Sequence, residues 1–103
     1  MFSEDKKMND RNYDEISGII HYHNLEFHPN TYGPSEDGRS TRQGVGIWSG
    51  QRRLGAIIID PSNSSIEDTL NQDPAFDPVR HAIIALLKKT GNAYALGSVF
   101  FRS

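Results

Sequence analysis

The spacing of apolar residues along the chain predicts one clear strand and one clear helix. Residues 54–60 form a continuous apolar run, Leu-Gly-Ala-Ile-Ile-Ile-Asp, which is typical of a strand buried on both faces. Farther on, apolar side chains follow the i, i+3, i+4, i+7, i+8 spacing of a helix with one buried face. They are Val79, Ala82, Ile83, Leu86 and Leu87. Asp77 suits an N-cap and Pro78 a first helical position, so a helix is predicted over 78–89.

Weaker patterns predict three further strands. Alternation over 16–28 favours a first strand, an edge strand is expected around 65–70, and residues 93–101 favour a last strand. Residues 29–53 are rich in Gly, Pro, Ser and Arg and are interpreted as a long polar loop, interrupted by a short strand or anchor around Trp48.

This order of elements predicts an α/β fold, a mixed sheet with at least one packed helix. Three parts are expected: a disordered N-terminal arm over 1–15, a strand plus a long polar loop over 16–53, and a partial α/β domain over 54–103.

Composition narrows the function classes. A chain of 103 residues fits one small domain, and a net charge of −2 argues neither for nor against nucleic-acid binding. The absence of cysteine excludes disulfides, thiolate zinc sites and cysteine catalysis within this sequence. No apolar run approaches the roughly 20 residues that span a bilayer, so no membrane contact is expected and the nucleus and cytoplasm are the expected location.

Two groups of residues suggest binding chemistry. In a strand, His21 and His23 would share one face about 6.6 Å apart, which is close enough for both to bind one metal ion. One hypothesis is therefore a metal enzyme that uses these two residues together with His28. The alternative is that they are ordinary strand histidines. Arginines with interspersed aromatic residues can hold phosphates and stack on bases, although a solvated loop has the same composition. The candidate RNA-binding arginines lie near Tyr32 and Trp48 and are Arg39, Arg42, Arg52 and Arg53.

His81 falls in the first turn of the predicted helix. Free backbone N–H groups and the helix dipole favour a neutral imidazole there, which could bind a metal. The alternative is a histidine that caps or packs at the start of the helix.

The segment from Gly55 to about Leu87 resembles the non-catalytic subunit of eukaryotic tRNA-specific adenosine deaminase, in the cytidine deaminase-like superfamily. That family converts the wobble adenosine of tRNA to inosine. The matching residues are an apolar strand ending in Asp60-Pro61 and a Pro-Val-Arg-His-Ala-Ile element over 78–83, with nineteen residues between Pro61 and His81. Ile83 stands where the catalytic partner subunit carries a glutamate, and this difference points to the non-catalytic side.

The resemblance implies a partial cytidine deaminase-like three-layer fold, apparently incomplete at its C-terminal end. In the family, zinc is held by the helix histidine and by two cysteines of a later Pro-Cys-x-x-Cys element, before which this sequence stops. Only His81 carries over, as a vestigial ligand, so no tightly bound zinc is expected. Because Ile83 cannot shuttle protons, no catalysis by the chain itself is expected.

The implied partners are the catalytic tRNA adenosine deaminase subunit and tRNA. The implied role is tRNA positioning and partner binding. A small protein-interaction module with no nucleic-acid role remains the alternative.

Overall fold

The computed structural model describes residues 14–96, in which a four-stranded sheet packs against two helices. The first helix, α1, covers residues 14–23. The strands are β1 (Leu25–Pro34), β2 (Thr41–Ser49), β3 (Arg52–Asp60) and β4 (Ser65–Asp68), and the second helix is α2 (Asp77–Thr90). Short 3-10 turns cover Pro74–Phe76 and Ala93–Leu96. The mixed α/β content predicted from the sequence is confirmed. Every strand pairing is antiparallel, in the order β1-β2-β3-β4, so the described sheet is not the mixed sheet expected.

The core lies between one face of the sheet and the helices. It is formed by apolar side chains from α1, from the three long strands, from the segment after β4, from α2 and from the two 3-10 turns. The largest fully buried ones are Ile47, Ile57, Ile59, Leu70, Ile83, Leu87, Val45 and Val79. Ile16 of α1 belongs to the same cluster, so both helices cover the same face of the sheet. The described residues therefore form two layers.

Helix α2 confirms the predicted helix, whereas the predicted N-cap is wrong, because Phe76 holds that place and Asp77 is the first helical residue. Among the spaced apolar positions, Val79, Ile83 and Leu87 are 0% exposed, and Ala82 and Leu86 are half-buried against the same core. It ends at Gly91, which has left-handed backbone and donates its N–H to Leu87 O at 2.7 Å. The predicted strands at 54–60 and 65–70 correspond to β3 and β4, and β4 lies at the sheet edge as expected.

The predicted strand over 16–28 is wrong in its first half. Residues 14–23 are helical, and β1 begins only at Leu25. Ile16, Ile19 and Ile20 lie at i, i+3 and i+4, and all three side chains contact the core. Helical spacing therefore prevails over the alternation that the same residues also show.

The prediction of a long polar loop over 29–53 is also wrong, because β1 and β2 occupy most of this segment and β2 pairs with β3 in the sheet. Pro29 is tolerated because β1 is an edge strand of the described sheet, with β2 as its partner among residues 14–96. A boundary between 53 and 54 would cut through this sheet.

The predicted strand over 93–101 is wrong for residues 93–96, which form a 3-10 turn. The remainder of that segment lies outside the described residues. Residues 1–13 of the predicted arm lie outside them too, while 14 and 15 belong to α1.

Candidate functional site

The face of the sheet opposite the helices is polar and accessible. We call it the open face; His28, Asn30, Trp48 and Arg53 define it. Three of these residues are exposed and Trp48 is half-buried, whereas the neighbouring strand positions Phe27, Val45 and Ile47 point into the core. Because side chains alternate along a strand, the same pleat that builds the core presents these polar groups on the other side.

A cavity of about 310 Å³ lies on this face, and we call it the open-face cleft. It is lined by His28, Asn30, Tyr32, Gly46, Trp48 and Arg53. This volume is at the small end of the roughly 300–1,000 Å³ that ligand pockets occupy. The cleft therefore suits a small planar group rather than a large ligand.

Strand register brings these residues together from three strands. His28 of β1 lies opposite Gly46 of β2, and Trp48 of β2 lies opposite Arg53 of β3. A register shift after Ile47 lets Arg53 pair with Trp48 although Ile47 pairs with Gly55. This irregularity turns Arg53 onto the open face.

Aromatic rings form the walls of the cleft. The ring centroids of His28 and Trp48 are 6.1 Å apart, with the ring planes at 72°. His28 Nε2 also lies 3.4 Å from Glu26 Oε1 at the margin of the sheet. The cleft thus offers ring surfaces, one guanidinium group and one amide.

The four candidate arginines are not gathered in one place. Arg53 lines the cleft together with Tyr32 and Trp48, the two aromatic residues that the sequence placed near it. Arg42 is half-buried; its Nη2 donates to Tyr32 O at 2.5 Å and its Nη1 lies 4.0 Å from Glu67 Oε1. Arg39 lies exposed in the β1–β2 connection, and Arg52 precedes Arg53 opposite Ser49.

Sequence reasoning did not place His28, Asn30 or Gly46 in a cleft, and it considered His28 only as a metal ligand. The signal that could have found His28 and Asn30 is the alternation of polar side chains within β1. It becomes visible only when residues 25–34 are recognised as a strand.

His81 occupies a second depression, between the two helices, of about 480 Å³, which we call the helix cleft. It is lined by Glu15, Ile16, Asp77, Pro78, His81, Ala82 and Ala85. His81 is exposed, while Ile83, two residues later, is completely buried in the core.

The residues around His81 do not fit a zinc ion. A protein zinc site normally takes at least three protein ligands, whereas residues 14–96 contain no group of three His, Cys, Asp or Glu side chains arranged to hold a metal. His81 would be the one nitrogen ligand of the helix cleft, and the sequence has no cysteine to join it.

The N-terminal histidines do not share a strand face. His21 and His23 belong to α1 and His28 belongs to β1. The His23 ring lies 4.8 Å from the Phe76 ring, which packs α1 against the turn before α2. The predicted strand geometry for a shared metal is therefore wrong.

Asp60, at the end of β3, organises the adjoining loops. Its Oδ2 accepts the Glu36 N–H at 2.9 Å, and its Oδ1 accepts the Ser62 hydroxyl at 2.7 Å and the Ser62 N–H at 2.9 Å. The Ser62 hydroxyl, followed by these backbone donors, lowers the pKa of the Asp60 carboxyl against the opposing effect of burial. The Asp60-Pro61 element thus has a structural role in joining the β1–β2 and β3–β4 connections.

Compared with known proteins, the chain matches no family model, no curated protein and no solved structure. Within residues 14–96, no helix has the length and apolar character needed to cross a membrane.

Proposed function

We propose that this chain is a non-catalytic subunit of a tRNA adenosine deaminase, which converts wobble adenosine to inosine, and that it positions tRNA and binds the catalytic subunit. The observation that carries the proposal is the order of elements around His81. Strand β3 ends at Asp60, just before Pro61, an antiparallel hairpin leads into β4, and α2 then begins with Asp77 and Pro78 and carries His81 as its fifth residue. This order supports a cytidine deaminase-like core built on β3, β4 and α2.

The burial of Ile83 supports a role without catalysis. Its side chain is 0% exposed and packs in the same cluster as Ile57 and Ile59 of β3. An aliphatic group in this position holds α2 on the sheet and has no proton to transfer. The position two residues after His81 therefore contributes to the fold rather than to chemistry.

The open face supports the contact with RNA. Aromatic rings and an arginine line one accessible cleft on it, and both chemistries are used to bind single-stranded RNA. The helices on the other side leave this face accessible within residues 14–96.

Co-expression with a catalytic adenosine deaminase subunit tests the proposal. We expect the two chains to co-elute in size-exclusion chromatography and to form inosine at position 34 of a tRNA that carries adenosine there, read by sequencing. A tRNA with guanosine at that position is the matched control and should remain unchanged. Failure to form a complex contradicts the proposal, and a complex without salt-sensitive tRNA binding favours the alternative of a protein-interaction module.

A further inference from the structure

We infer that the open-face cleft binds one unstacked base of a single-stranded RNA segment, with Arg53 holding an adjacent phosphate. This inference deepens the proposed function and rests on it for the RNA that the chain meets. The cleft itself is argued from the placement of its rings, its glycine floor and its charge.

Gly46 leaves the floor of the cleft open. A Cβ added at this position would lie 3.6 Å from Trp48 Nε1, 3.8 Å from His28 O and 3.9 Å from His28 Cβ, which are ordinary contact distances. The space above Gly46 is thus bordered by the Trp48 ring and by the backbone oxygen and Cβ of His28, and the cavity there is available to a planar group stacked on Trp48. Every base has a π face, so stacking against aromatic side chains does not depend on sequence.

Polar groups in the cleft match the rest of a nucleotide. Among residues 14–96, no carboxylate lies within ion-pair distance of Arg53, whereas the Arg42 guanidinium is engaged by Tyr32 O and Glu67. Arg53 is therefore available for a phosphate. Asn30 Oδ1 accepts the Thr31 N–H at 2.8 Å, which leaves the Asn30 amide N–H groups to donate to a base edge.

One acidic group borders the cleft, because Glu26 pairs with Trp48 in the strand register and its Oε1 lies 3.4 Å from His28 Nε2. Glu67 lies beside Arg42 on the far part of the sheet. Arg42 and Arg53 differ by roughly six strand positions, about 20 Å, so the two arginines cannot bind the same phosphate. Arg42, already engaged, takes no part in the cleft, so Arg53 is the arginine that serves it.

A peptide strand added to the sheet edge would not occupy this cleft. Pro29 interrupts the donors along the outer edge of β1 in the described sheet, and strand addition relies on such donors. The cleft instead lies on the face of the sheet.

Trp48 is the only tryptophan in the sequence, so its fluorescence reports directly on the cleft. The full chain, without any partner subunit, is titrated at low salt with a short unstructured oligoribonucleotide. We expect quenching of Trp48 emission and an affinity that falls as salt is added. A mononucleotide is expected to bind far more weakly, because it lacks neighbouring phosphates; equal affinity for both would overturn the assignment to RNA.

Adjacent arginines give a matched pair of variants. Arg53→Gln should reduce the negative slope of log affinity against log salt by about 0.7, the value of one phosphate contact in a single strand. Arg52→Gln removes the same charge one residue earlier, outside the cleft lining, and should keep the wild-type Trp48 quenching. Equal effects of the two substitutions would show that charge alone attracts the RNA and would overturn the inference.

Two further variants test the stacking itself, by anisotropy of a labelled oligoribonucleotide. Gly46→Ala fills the floor without close contacts and should weaken binding while leaving the urea midpoint unchanged or raised. Trp48→Leu should weaken binding about 5- to 150-fold, the value of one base stack. The inference is wrong if the folded Gly46→Ala variant binds RNA with wild-type affinity, or if the wild type does not bind RNA. The proposed function is decided separately, by complex formation with the catalytic subunit.

Discussion

Arg80 Nη1 lies 2.7 Å from Oδ1 and 2.6 Å from Oδ2 of Asp68, so the first turn of α2 is bound to the edge strand β4. The Arg80 side chain is only 9% exposed, and its Nη2 also donates to the carbonyl oxygens of Leu70 and Asn71. This pairing fixes the rotation of α2 about its axis. As a result Ile83 enters the core while His81 points to the helix cleft.

Asp68→Asn should lower the free energy of unfolding by about 1.5–3 kcal/mol, because a buried guanidinium then loses its closer charged partner and keeps only Asp77, 3.5 Å from Arg80 Nε. Urea unfolding at neutral pH measures the change. Lys88→Ala, which truncates an exposed residue of α2, is the control and should stay within about 0.5 kcal/mol of the wild type. An unchanged midpoint for Asp68→Asn would show that this ion pair does not stabilise the fold.

Two glycines should respond to alanine in opposite directions. Gly55 has φ +137°, and its added Cβ would meet Thr69 O and lie 2.6 Å from Leu70 Cα, where the segment after β4 crosses β3. Gly55→Ala should therefore cost about 3 kcal/mol or more. Gly18 lies in α1 with nothing within 4 Å, so Gly18→Ala should stabilise the protein by about 0.5–1 kcal/mol. Thermal unfolding of both variants makes the comparison, and a tolerated Gly55→Ala contradicts this close crossing.

Acid should weaken the structure through Asp60 and Asp37. The pKa of each carboxyl lies below its ordinary value of 3.8, chiefly because the Ser62 hydroxyl donates to Asp60 and the Ser35 hydroxyl donates to Asp37. A lowered folded-state pKa contributes stability above the ordinary value, and this contribution is lost as the pH falls through the folded-state pKa.

The contribution of the Ser62 hydroxyl can be separated by substitution. Ser62→Ala should reduce stability at pH 7, and its difference from the wild type should shrink as the pH falls through the lowered folded-state pKa of Asp60, because the carboxyl then becomes protonated in both folded and unfolded states. Ser65→Ala is the control, because Ser65 takes part in the turn through its backbone N–H. A pH-independent effect of Ser62→Ala would exclude linkage to Asp60.

The elements that could be predicted from the sequence are those whose apolar pattern fits a single type of secondary structure. The apolar run of β3 and the helical spacing of α2 are of this kind. Residues 14–28 fit two periodicities, and the helical one prevails because Ile16 and Ile20 contact the core that α2 completes. That choice depends on distant parts of the chain, which local spacing does not contain.

The sequence pattern did not predict strand β2, because its glycines are typical of turns. Gly44 is required in the sheet, because a Cβ there would lie 2.7 Å from Ile57 O on the neighbouring strand. Sequence position placed Arg53, Tyr32 and Trp48 near one another, but the cleft also needs the register of three strands. His28 and Asn30 enter it only through that register.

Ile83→Glu tests whether a glutamate can simply be restored two residues after His81. Because this position is 0% exposed among apolar side chains, the carboxyl would be buried and its pKa raised. Because the folded-state pKa is raised, the loss of stability is smallest when the pH lies below the unfolded-state pKa of about 4.3. The loss then grows by about 1.4 kcal/mol per pH unit until the pH reaches the folded-state pKa. Urea unfolding at pH 5 and pH 7 measures this growth. Ile83→Gln, of similar shape and without charge, should show a loss that does not change with pH. If Ile83→Glu is as stable as Ile83→Gln at both pH values, the side chain reaches solvent, and the structural role assigned to Ile83 is wrong.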